Sequence, residues 1–593
     1  MFLQNKTNKP KRINSILISS VCFFLVLVNI FFYPTWKKSN SQATLSWDAA
    51  GYYAYLPATF IYHELPTLQK TKQLTIDNKY QDGDFYTAFK SDNGNYVMKY
   101  SMGNALMMMP YFFAAHAWAL QSNIYKADGF SMPYQACISW GCLLYTILAL
   151  LLLQKILLRY FKDSTVTICL LLLMTATNYL EYSAITGGLT HNQLFFLYTL
   201  LIYFTIKFYD TQKFIHALAI GFVIGLAVLI RPTEFILIAI PLLWKIDSWI
   251  ALKNRMVFIQ KHFSKYFSAA AIALAVISCQ LFYWKWVSGH WLVYSYGDQH
   301  FDWLKPHIYL GLFSIRKGWY VYTPLMFVAT FGFYFLFKKH KDLFWVCLFF
   351  MFCTIYVVFS WSLWTYANSY GQRAMIQSYA IMIFPLAAFI EWLNLQKRFF
   401  VFIGYAILIL FIYLNLNFIW QAHYAKYFEG DNMTKRFFFR TIGRWNIQTN
   451  DLKLLDTEEE FKGERKQLKI LCSIDSTVFE TNHNQQFSKN IILNFNNHDY
   501  KWIRATGNFY TSAKEWNNWK MPQLIIRFKN ENVVVKERMI RLSRLFDADG
   551  NWHQIFLDEK IPAENFSTCE IQLWNADSET SMQIKNLIVE CFN

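Results

Sequence analysis

The sequence carries little charge for its length. Only 16% of its 593 residues are Asp, Glu, Lys or Arg, whereas soluble globular chains usually carry about 25%. Hydrophobic residues make up 55% of the chain and aromatic residues 19%. This composition excludes an ordinary soluble domain and predicts an integral membrane protein with a sizeable polar part.

Several familiar signatures are also missing. The sequence has no Walker phosphate loop, no Gly-Xaa-Gly-Xaa-Xaa-Gly, no His-Glu-Xaa-Xaa-His and no Gly-Xaa-Ser-Xaa-Gly. The ten cysteines show no zinc-ligand or redox spacing. One disulfide is expected in the polar tail if that side is oxidising, with its pairing left open among Cys472, Cys569 and Cys591. Few acidic residues lie deep in the apolar runs, which argues against an ion-coupled carrier.

The distribution of positive charge predicts association with a membrane rather than with nucleic acid. The formal net charge is +17. The short basic clusters lie between apolar runs, where Lys and Arg set membrane orientation. We therefore expect membrane lipids, and no nucleic acid, as partners of these clusters.

Eleven apolar runs of roughly twenty residues predict an α-helical polytopic membrane protein. They cover approximately 14–35, 131–157, 165–185, 192–209, 214–231, 233–250, 267–288, 320–337, 343–361, 375–392 and 399–420. The first run has a basic start but no small-residue cleavage site before Trp36, so we expect it to remain as an uncleaved helix.

Basic clusters alternate along these runs. They fall on every second connection, which is the positive-inside pattern: Lys6–Arg12, Lys155–Lys162, Lys207–Lys213, Lys253–Lys265, Lys338–Lys341 and Lys397–Arg398. This pattern predicts a cytoplasmic N-terminus and an outside C-terminus. Counting 103–121 as a further span would break the alternation, so we interpret it as an interfacial helix in a first outside loop over 36–130.

The pattern changes after the last predicted span. Residues 1–420 form the predicted membrane domain, and 421–464 are interpreted as a polar connector with some helix. From 465 to 593, short alternating runs are separated by Asn, Asp, Gly and Pro. This spacing predicts an extracytoplasmic β-sandwich.

Asp48 is the first candidate for chemistry. It closely follows the first predicted span and is flanked by aromatic residues, in Ser46-Trp47-Asp48-Ala49-Ala50-Gly51-Tyr52-Tyr53. A partly desolvated carboxylate at the membrane surface is a competent general base. Taken alone, the pattern favours an N-cap for the helix that contains Tyr52 and Tyr55.

Basic residues on the predicted outer side are the second candidates. Five of them run against the positive-inside trend: Lys99, Arg231, Arg316, Lys317 and Arg373. Such residues invite an anionic partner, and the guanidinium fork of arginine suits phosphate. Snorkelling to lipid head groups explains a single residue of this kind. Five of them, with an aspartate nearby, favour a site.

Two weaker candidates lie in the same predicted outer connections. His191 follows Thr186-Gly187-Gly188 at the start of a predicted helix, where a lone histidine is usually structural. Its outer location keeps it as a candidate ligand. Asp82 and Asp84 favour a solvated turn, and binding of a divalent cation or a sugar is the alternative.

These features together resemble the GT-C superfamily of membrane glycosyltransferases, in particular its bacterial protein-mannosyltransferase-like and lipid A aminoarabinose-transferase-like branches. The resemblance covers about 14–420 in topology. It rests on Trp47-Asp48 ahead of Gly51-Tyr52-Tyr53, on Lys99-Tyr100-Ser101-Met102-Gly103, on Phe313-Ser314-Ile315-Arg316-Lys317-Gly318-Trp319 and on Asn368-Ser369-Tyr370-Gly371-Gln372-Arg373. The chain departs from the family pattern at Ala49, where a second acid is common, and at Tyr100, where a proline pair is common. The subfamily and the acceptor therefore stay open.

The resemblance implies a specific reaction. A sugar carried by a polyprenyl phosphate is transferred, with inversion, to a glycan, lipid or protein acceptor on the outer face of a bacterial inner membrane. Asp48 is implied as the general base. The residues expected to bind the donor and its phosphate are Lys99, Tyr100, His191, Arg316, Lys317 and Arg373. No cofactor is implied beyond a divalent cation, which Asp82 and Asp84 leave open.

Two other functions stay open at the level of sequence. A flippase or transporter of a polyprenyl-linked glycan would need outer basic residues too, together with a polar path through the spans. A non-catalytic scaffold for envelope assembly would act through its β-domain. That tail, with Gly507-Asn508-Phe509-Tyr510, Trp552 and Trp574-Asn575, resembles a carbohydrate-binding jelly roll. Its tryptophans either stack on sugars or belong to the core, and the core is favoured for Trp574.

Overall fold

The computed structural model describes residues 13–81, 85–475, 478–494, 500–517 and 520–593. The chain divides into two compact units, the first ending at Lys426 and the second spanning Tyr427–Asn593. The basic cluster Lys6–Arg12 lies outside the described residues, and so do the candidate ligands Asp82 and Asp84.

The first unit is helical. Its helices α1 to α19 are, in chain order, Ile13–Phe32, Trp47–Tyr53, Tyr55–Phe60, Gln69–Asp77, Gly103–Leu120, Met132–Leu157, Asp163–Thr175, Tyr179–Ala184, Thr190–Thr211, Phe214–Ile230, Ala239–Leu243, Trp249–Lys261, Phe263–Ser288, Ile308–Phe313, Trp319–Tyr322, Pro324–Lys339, Lys341–Phe359, Tyr379–Leu393 and Arg398–His423. Short 3-10 helices lie at Thr35–Lys37, Pro232–Ile238 and Arg373–Ser378, and a hairpin joins β1, Ala88–Lys90, to β2, Tyr96–Met98.

Seven helical segments within the described residues are long and apolar enough to cross a membrane: Asn14–Lys37, Met132–Leu157, Thr190–Thr211, Phe263–Ser288, Lys341–Phe359, Arg373–Leu393 and Arg398–His423. They confirm the prediction of a helical multi-pass membrane protein. The other four predicted spans coincide with shorter helices, so the count of eleven stays a prediction. Two of these shorter helical segments begin at Pro232 and Pro324, since proline lacks the amide donor and suits a first helical position.

The span Arg373–Leu393 lies at the centre of the first unit. Of its most apolar stretch, 89% is buried inside the structure. The corresponding share is only 11% for the spans Phe263–Ser288 and Arg398–His423. A helix that is apolar all round and enclosed by other helices belongs to the interior of a bundle. Arg373 is therefore the first residue of the most enclosed span of the first unit.

The long connection between α1 and α6 folds on itself. It contains α2 to α5 and the β1–β2 hairpin, and its aromatic core includes Tyr53, Phe112, Phe130 and Tyr134, all nearly inaccessible to solvent. The segment predicted as an interfacial helix over 103–121 forms α5, and its depth in the membrane stays a prediction.

The second unit is mainly β. Its described residues form α20, Lys435–Thr441, and nine strands, β3 to β11: Lys469–Ile474, Phe479–Thr481, Ile491–Asn494, Trp502–Thr511, Gln523–Asn530, Val533–Arg541, His553–Lys560, Thr568–Trp574 and Met582–Phe592. One antiparallel sheet has the order β5-β10-β7-β8, and the other has the order β3-β11-β6-β9 with β4 also paired to β11.

Alternating residues of both sheets form one hydrophobic core. In β6, Ile503 and Phe509 are buried while their neighbours are half-buried, and Ile526 of β7 and Ile571 of β10 join the same core. Period-two alternation of this kind is what a sheet with one buried face requires. The prediction of a β-rich C-terminal region is confirmed, and the jelly-roll assignment stays a prediction.

All ten cysteines are free thiols.

Candidate active site

Asp48 lies in the first turn of α2, but it does not cap that helix. Ser46 takes the N-cap position, so the capping role that the local pattern favours is wrong. Trp47, directly before Asp48, has a φ of 51°. This left-handed conformation is costly for a bulky residue, and such strain concentrates at functional sites.

The Asp48 carboxylate binds three side chains from two distant segments. Its Oδ1 accepts hydrogen bonds from the hydroxyls of Tyr100, at 2.7 Å, and Tyr86, at 3.3 Å. Its Oδ2 accepts one from Nη2 of Arg373, at 2.9 Å. The side chain of Asp48 is 26% exposed and that of Arg373 is 14% exposed. The pair is therefore largely enclosed but still open to a ligand.

Two glycines allow the segments to approach. A Cβ on Gly51, three residues after Asp48, would lie 2.5 Å from the ring of Tyr100. A Cβ on Gly103 would lie 2.4 Å from the backbone nitrogen of Ile230, at the end of α10. Only glycine permits such close contacts. These two positions bring the Lys99–Gly103 segment against both α2 and the end of α10.

Lys317 fixes the segment that leads to Arg373. It is fully buried, and its ammonium donates to the carbonyl oxygen of Ala367 at 3.3 Å and to the Oγ and carbonyl oxygen of Ser369. Gly371 then turns the chain with a φ of 60°. Lys317 therefore binds the segment that directly precedes Arg373, and its predicted role in phosphate binding stays a prediction. Arg316 is exposed beside it.

Lys99 lies among aromatic rings rather than against a carboxylate. Its ammonium is 5.2 Å from the ring centroid of Tyr86, 5.7 Å from that of Tyr100 and 5.6 Å from that of Tyr296. Cation–π contacts of this kind hold a cation without neutralising it. Burial lowers the pKa of Lys99, and the charge of Asp48 partly offsets this effect.

A second polar layer borders the Arg373 segment. His191, fully buried at the start of α9, has Nε2 3.4 Å from Nη2 of Arg231. The buried Glu234 accepts hydrogen bonds from the hydroxyl of Tyr198 and, at 3.2 Å, from Nε2 of Gln377. Arg231 lies within electrostatic range of both Glu234 and Arg373. The second layer is therefore electrostatically coupled to the Asp48–Arg373 pair.

Sequence reasoning missed several members of this cluster: Tyr86, Tyr198, Glu234, Tyr296 and Gln377. An acid within an apolar run is a recognised signal, and Glu234 carries it, three residues after Arg231. Tyrosine is too frequent in this sequence, at 37 residues, for its position to be informative. The aromatic members are therefore visible only in three dimensions.

The charges of the cluster do not balance. Lys99, Arg231 and Arg373 are three cations, and Asp48 and Glu234 are two carboxylates. Nε of Arg373 is also buried without a hydrogen-bond partner in the part of the chain that the structure describes. A buried donor without a partner is costly. The cluster is therefore suited to accept an additional anion.

The Asp48 carboxyl is ionised at neutral pH. Burial raises its pKa, but the charge of Arg373, hydrogen bonds from Tyr100 and Arg373, and the charge of Lys99 outweigh burial and hold the pKa below its usual range. A proton acceptor must be ionised to act. Over the described ranges, no group of three or more His, Cys, Asp or Glu residues is arranged to hold a metal ion.

Comparisons with known proteins identify similar structures only. No family model matches the chain, and no curated protein matches it. The apo oligosaccharyltransferase from Archaeoglobus fulgidus aligns with a TM-score of 0.41 and 12% identity over 71% of this chain. The same values hold for the archaeal oligosaccharyltransferase AglB from that organism, solved with an inhibitory peptide and a dolichol-phosphate.

A third structure aligns over nearly the whole chain. Arabinosyltransferase EmbB from Mycobacterium smegmatis matches with a TM-score of 0.37 and 9% identity, over 99% of this chain and 66% of that one. This chain spans only 57% of the oligosaccharyltransferase. At such scores the likeness carries no functional conclusion, which has to come from the residues of this chain.

Proposed function

We propose that this protein is a glycosyltransferase that moves a sugar from a polyprenyl-phosphate donor to a glycan, lipid or protein acceptor on the outer face of a bacterial inner membrane. The observation that carries the proposal is the partly exposed Asp48 carboxylate, bound by Tyr100 and Arg373 in a cluster with excess cations. An acceptor hydroxyl needs a base and a phosphate leaving group needs cations, and this cluster supplies both.

The donor phosphate binds between Arg373 and Lys99 in this scheme. Arg373 retains an unused buried Nε donor within the described structure, and the ammonium of Lys99 is held by aromatic rings that leave its charge available. Charge-assisted hydrogen bonds to phosphate are the strong ones. Lys317 positions Arg373, and His191 positions Arg231.

Asp48 then acts on the acceptor. The acceptor hydroxyl attacks the anomeric carbon from the side opposite the phosphate, so a new carbon–oxygen bond forms as the bond to the phosphate oxygen breaks. Asp48 takes the hydroxyl proton, and the polyprenyl phosphate leaves with the electron pair, stabilised by Lys99 and Arg373. Attack from the opposite side inverts the anomeric configuration.

Donor binding also prepares the base. The charge of Arg373 is the largest of the contributions that lower the pKa of Asp48. A phosphate that draws Arg373 toward itself weakens this contribution, and Asp48 becomes a better proton acceptor. The site therefore favours binding of the donor before the acceptor is activated.

The Asp48→Asn variant tests the proposal. We expect transfer to fall about 10²- to 10⁴-fold, because the amide cannot accept the proton, with normal abundance of the protein. The measurement is the glycolipid and glycoprotein profile of a deletion strain complemented with each variant. Asp210→Asn is the matched control, since Asp210 forms an exposed ion pair with Arg159.

An unchanged profile with Asp48→Asn would remove Asp48 from the mechanism and favour a flippase or a scaffold, neither of which needs a base. A divalent cation at Asp82 and Asp84 stays a separate prediction, which dependence of transfer on added Mg²⁺ or Mn²⁺ tests.

A further inference from the structure

The second unit contains a surface groove that the proposed reaction does not use. It has a volume of about 710 Å³, within the range of small-molecule binding sites. The groove lies where β6 begins beside the end of β9, since Trp502 pairs with Lys560 and the amide of Ile561 donates to the carbonyl of Lys501 at 2.9 Å. Tyr500 and 561–563 complete its lining.

Two lysines give the groove a positive charge. Lys501 and Lys560 are both exposed, and neither ammonium has a carboxylate partner among the residues that the structure describes. The nearby acids are already engaged, because Glu459 and Glu559 both bind Lys536, at 3.0 and 2.8 Å. With respect to the described residues, the two ammonium groups therefore retain charge that suits an anion.

Aromatic rings form the other part of the lining. Trp502 and Tyr500 are half-buried, and Trp502 packs edge-to-face with Phe461, with ring centroids 5.7 Å apart. The ammonium of Lys560 lies 5.4 Å from the centroid of Trp502. A rigid aromatic face beside a cation suits a ligand with an apolar face and an acidic group.

We propose that this groove binds an acidic glycan. A sugar ring packs its C–H face on Trp502 and Tyr500, and a carboxylate or phosphate group on that sugar lies against Lys501 and Lys560. The proposal does not depend on the transferase activity, because binding is measured without a donor.

Trp552, one of the tryptophans that the sequence offers for sugar stacking, lies outside this groove. Trp552 lies on Tyr510, with centroids 5.3 Å apart, and the ammonium of Lys585 covers its ring at 3.9 Å. Both tryptophans contact another aromatic ring and a lysine, and the difference is that Trp502 lines the groove whereas Trp552 does not. This contrast makes Trp552→Ala the matched control for Trp502→Ala.

Binding of oligosaccharides to the purified full-length protein tests the proposal. The panel contains tri-galacturonate, sialyllactose and a phosphorylated mannose as acidic probes, maltotriose as a neutral probe and tripolyphosphate as an anion without a sugar. Isothermal titration should show at least one acidic probe binding about tenfold more tightly than maltotriose, with affinity falling as salt rises.

The variants locate the site. Trp502→Ala and the double variant Lys501→Gln/Lys560→Gln should each weaken that binding at least about tenfold, whereas Trp552→Ala leaves it unchanged. Trp502→Phe, which retains a ring, should keep it, and thermal unfolding checks that each variant is folded. Failure of every acidic probe to bind would overturn the proposal. So would equal binding of tripolyphosphate that is insensitive to Trp502→Ala, since that result describes an anion site without sugar recognition.

Discussion

Two arginines, one buried in the second unit and one largely enclosed in the first, show how the balance of charge distinguishes a structural ion pair from a candidate binding site. In the second unit Arg544 is 3% exposed and donates to Asp456 and Glu429, each at 2.5 Å. Arg541 binds the same Asp456 at 3.1 Å. In the first unit Arg373 is 14% exposed and, among the residues that the structure describes, pairs with one carboxylate, Asp48, at 2.9 Å.

The two sites differ in whether carboxylates balance all of the positive charge. Around Arg544, two arginines face two carboxylates, so the charges balance, although Nε of Arg544, like that of Arg373, has no hydrogen-bond partner among the described residues. Around Arg373, three cations face two carboxylates. A balanced buried network is structural, because its charges satisfy one another. An enclosed cluster with excess charge and partial exposure is suited to an anionic ligand.

The largest expected effect is on stability and belongs to Arg544. Arg544→Gln should lower the unfolding free energy of the second unit by about 3 kcal/mol, because Glu429 loses its arginine and the buried Asp456 keeps only Arg541. Hydrogen exchange of the strands of this unit measures the change. Lys520→Gln is the control, since Lys520 and Glu579 are largely exposed and such pairs contribute about 1 kcal/mol or less. Equal effects of the two substitutions would contradict the interpretation of Arg544.

The next effect is on binding and belongs to Arg373. Arg373→Gln should weaken binding of a polyprenyl monophosphate about 10- to 100-fold, the value of a lost hydrogen bond to a charged group. Native mass spectrometry or ligand-induced thermal stabilisation measures the affinity. Arg159→Gln should leave it unchanged, because Arg159 pairs with Asp210 at an exposed position. Wild-type affinity in Arg373→Gln would remove Arg373 from the phosphate site.

The smallest effect is a shift in pH dependence. Because the folded-state pKa of Asp48 is lowered, its ionised form stabilises the protein above the unfolded-state pKa, and this stabilisation is lost as pH falls through the folded-state value. Activity that needs the carboxylate should fall over the same acidic range, which forms the acid limb of the pH profile. Tyr100→Phe removes a hydrogen bond that lowers the pKa, so the limb should move to higher pH.

The pH profile of transfer measures this shift. Tyr510→Phe in the second unit serves as the control and should leave the acid limb in place. An acid limb that stays fixed, or moves to lower pH, in Tyr100→Phe would show that the ionisation of Asp48 does not control the reaction.

The sequence by itself determined the class of the protein and much of the candidate site. Apolar length and basic alternation are local signals, and they indicated a multi-pass membrane protein followed by a β-rich region. The same pattern singled out Asp48, Lys99 and Arg373, because charged residues stand out beside apolar spans. The count of eleven spans stays a prediction, since helical segments at four of them are shorter and two of these begin at Pro232 and Pro324.

Only the tertiary structure decided how these residues are used. Asp48 and Arg373 are 325 positions apart, so no local pattern could pair them. The structure also showed that Asp48 does not cap α2, that Lys317 is bound to the segment before Arg373, and that Glu234 belongs to the cluster. The physical reason is that hydrophobic periodicity is a property of the local sequence, whereas the partner of a charged side chain depends on which helices and loops pack together.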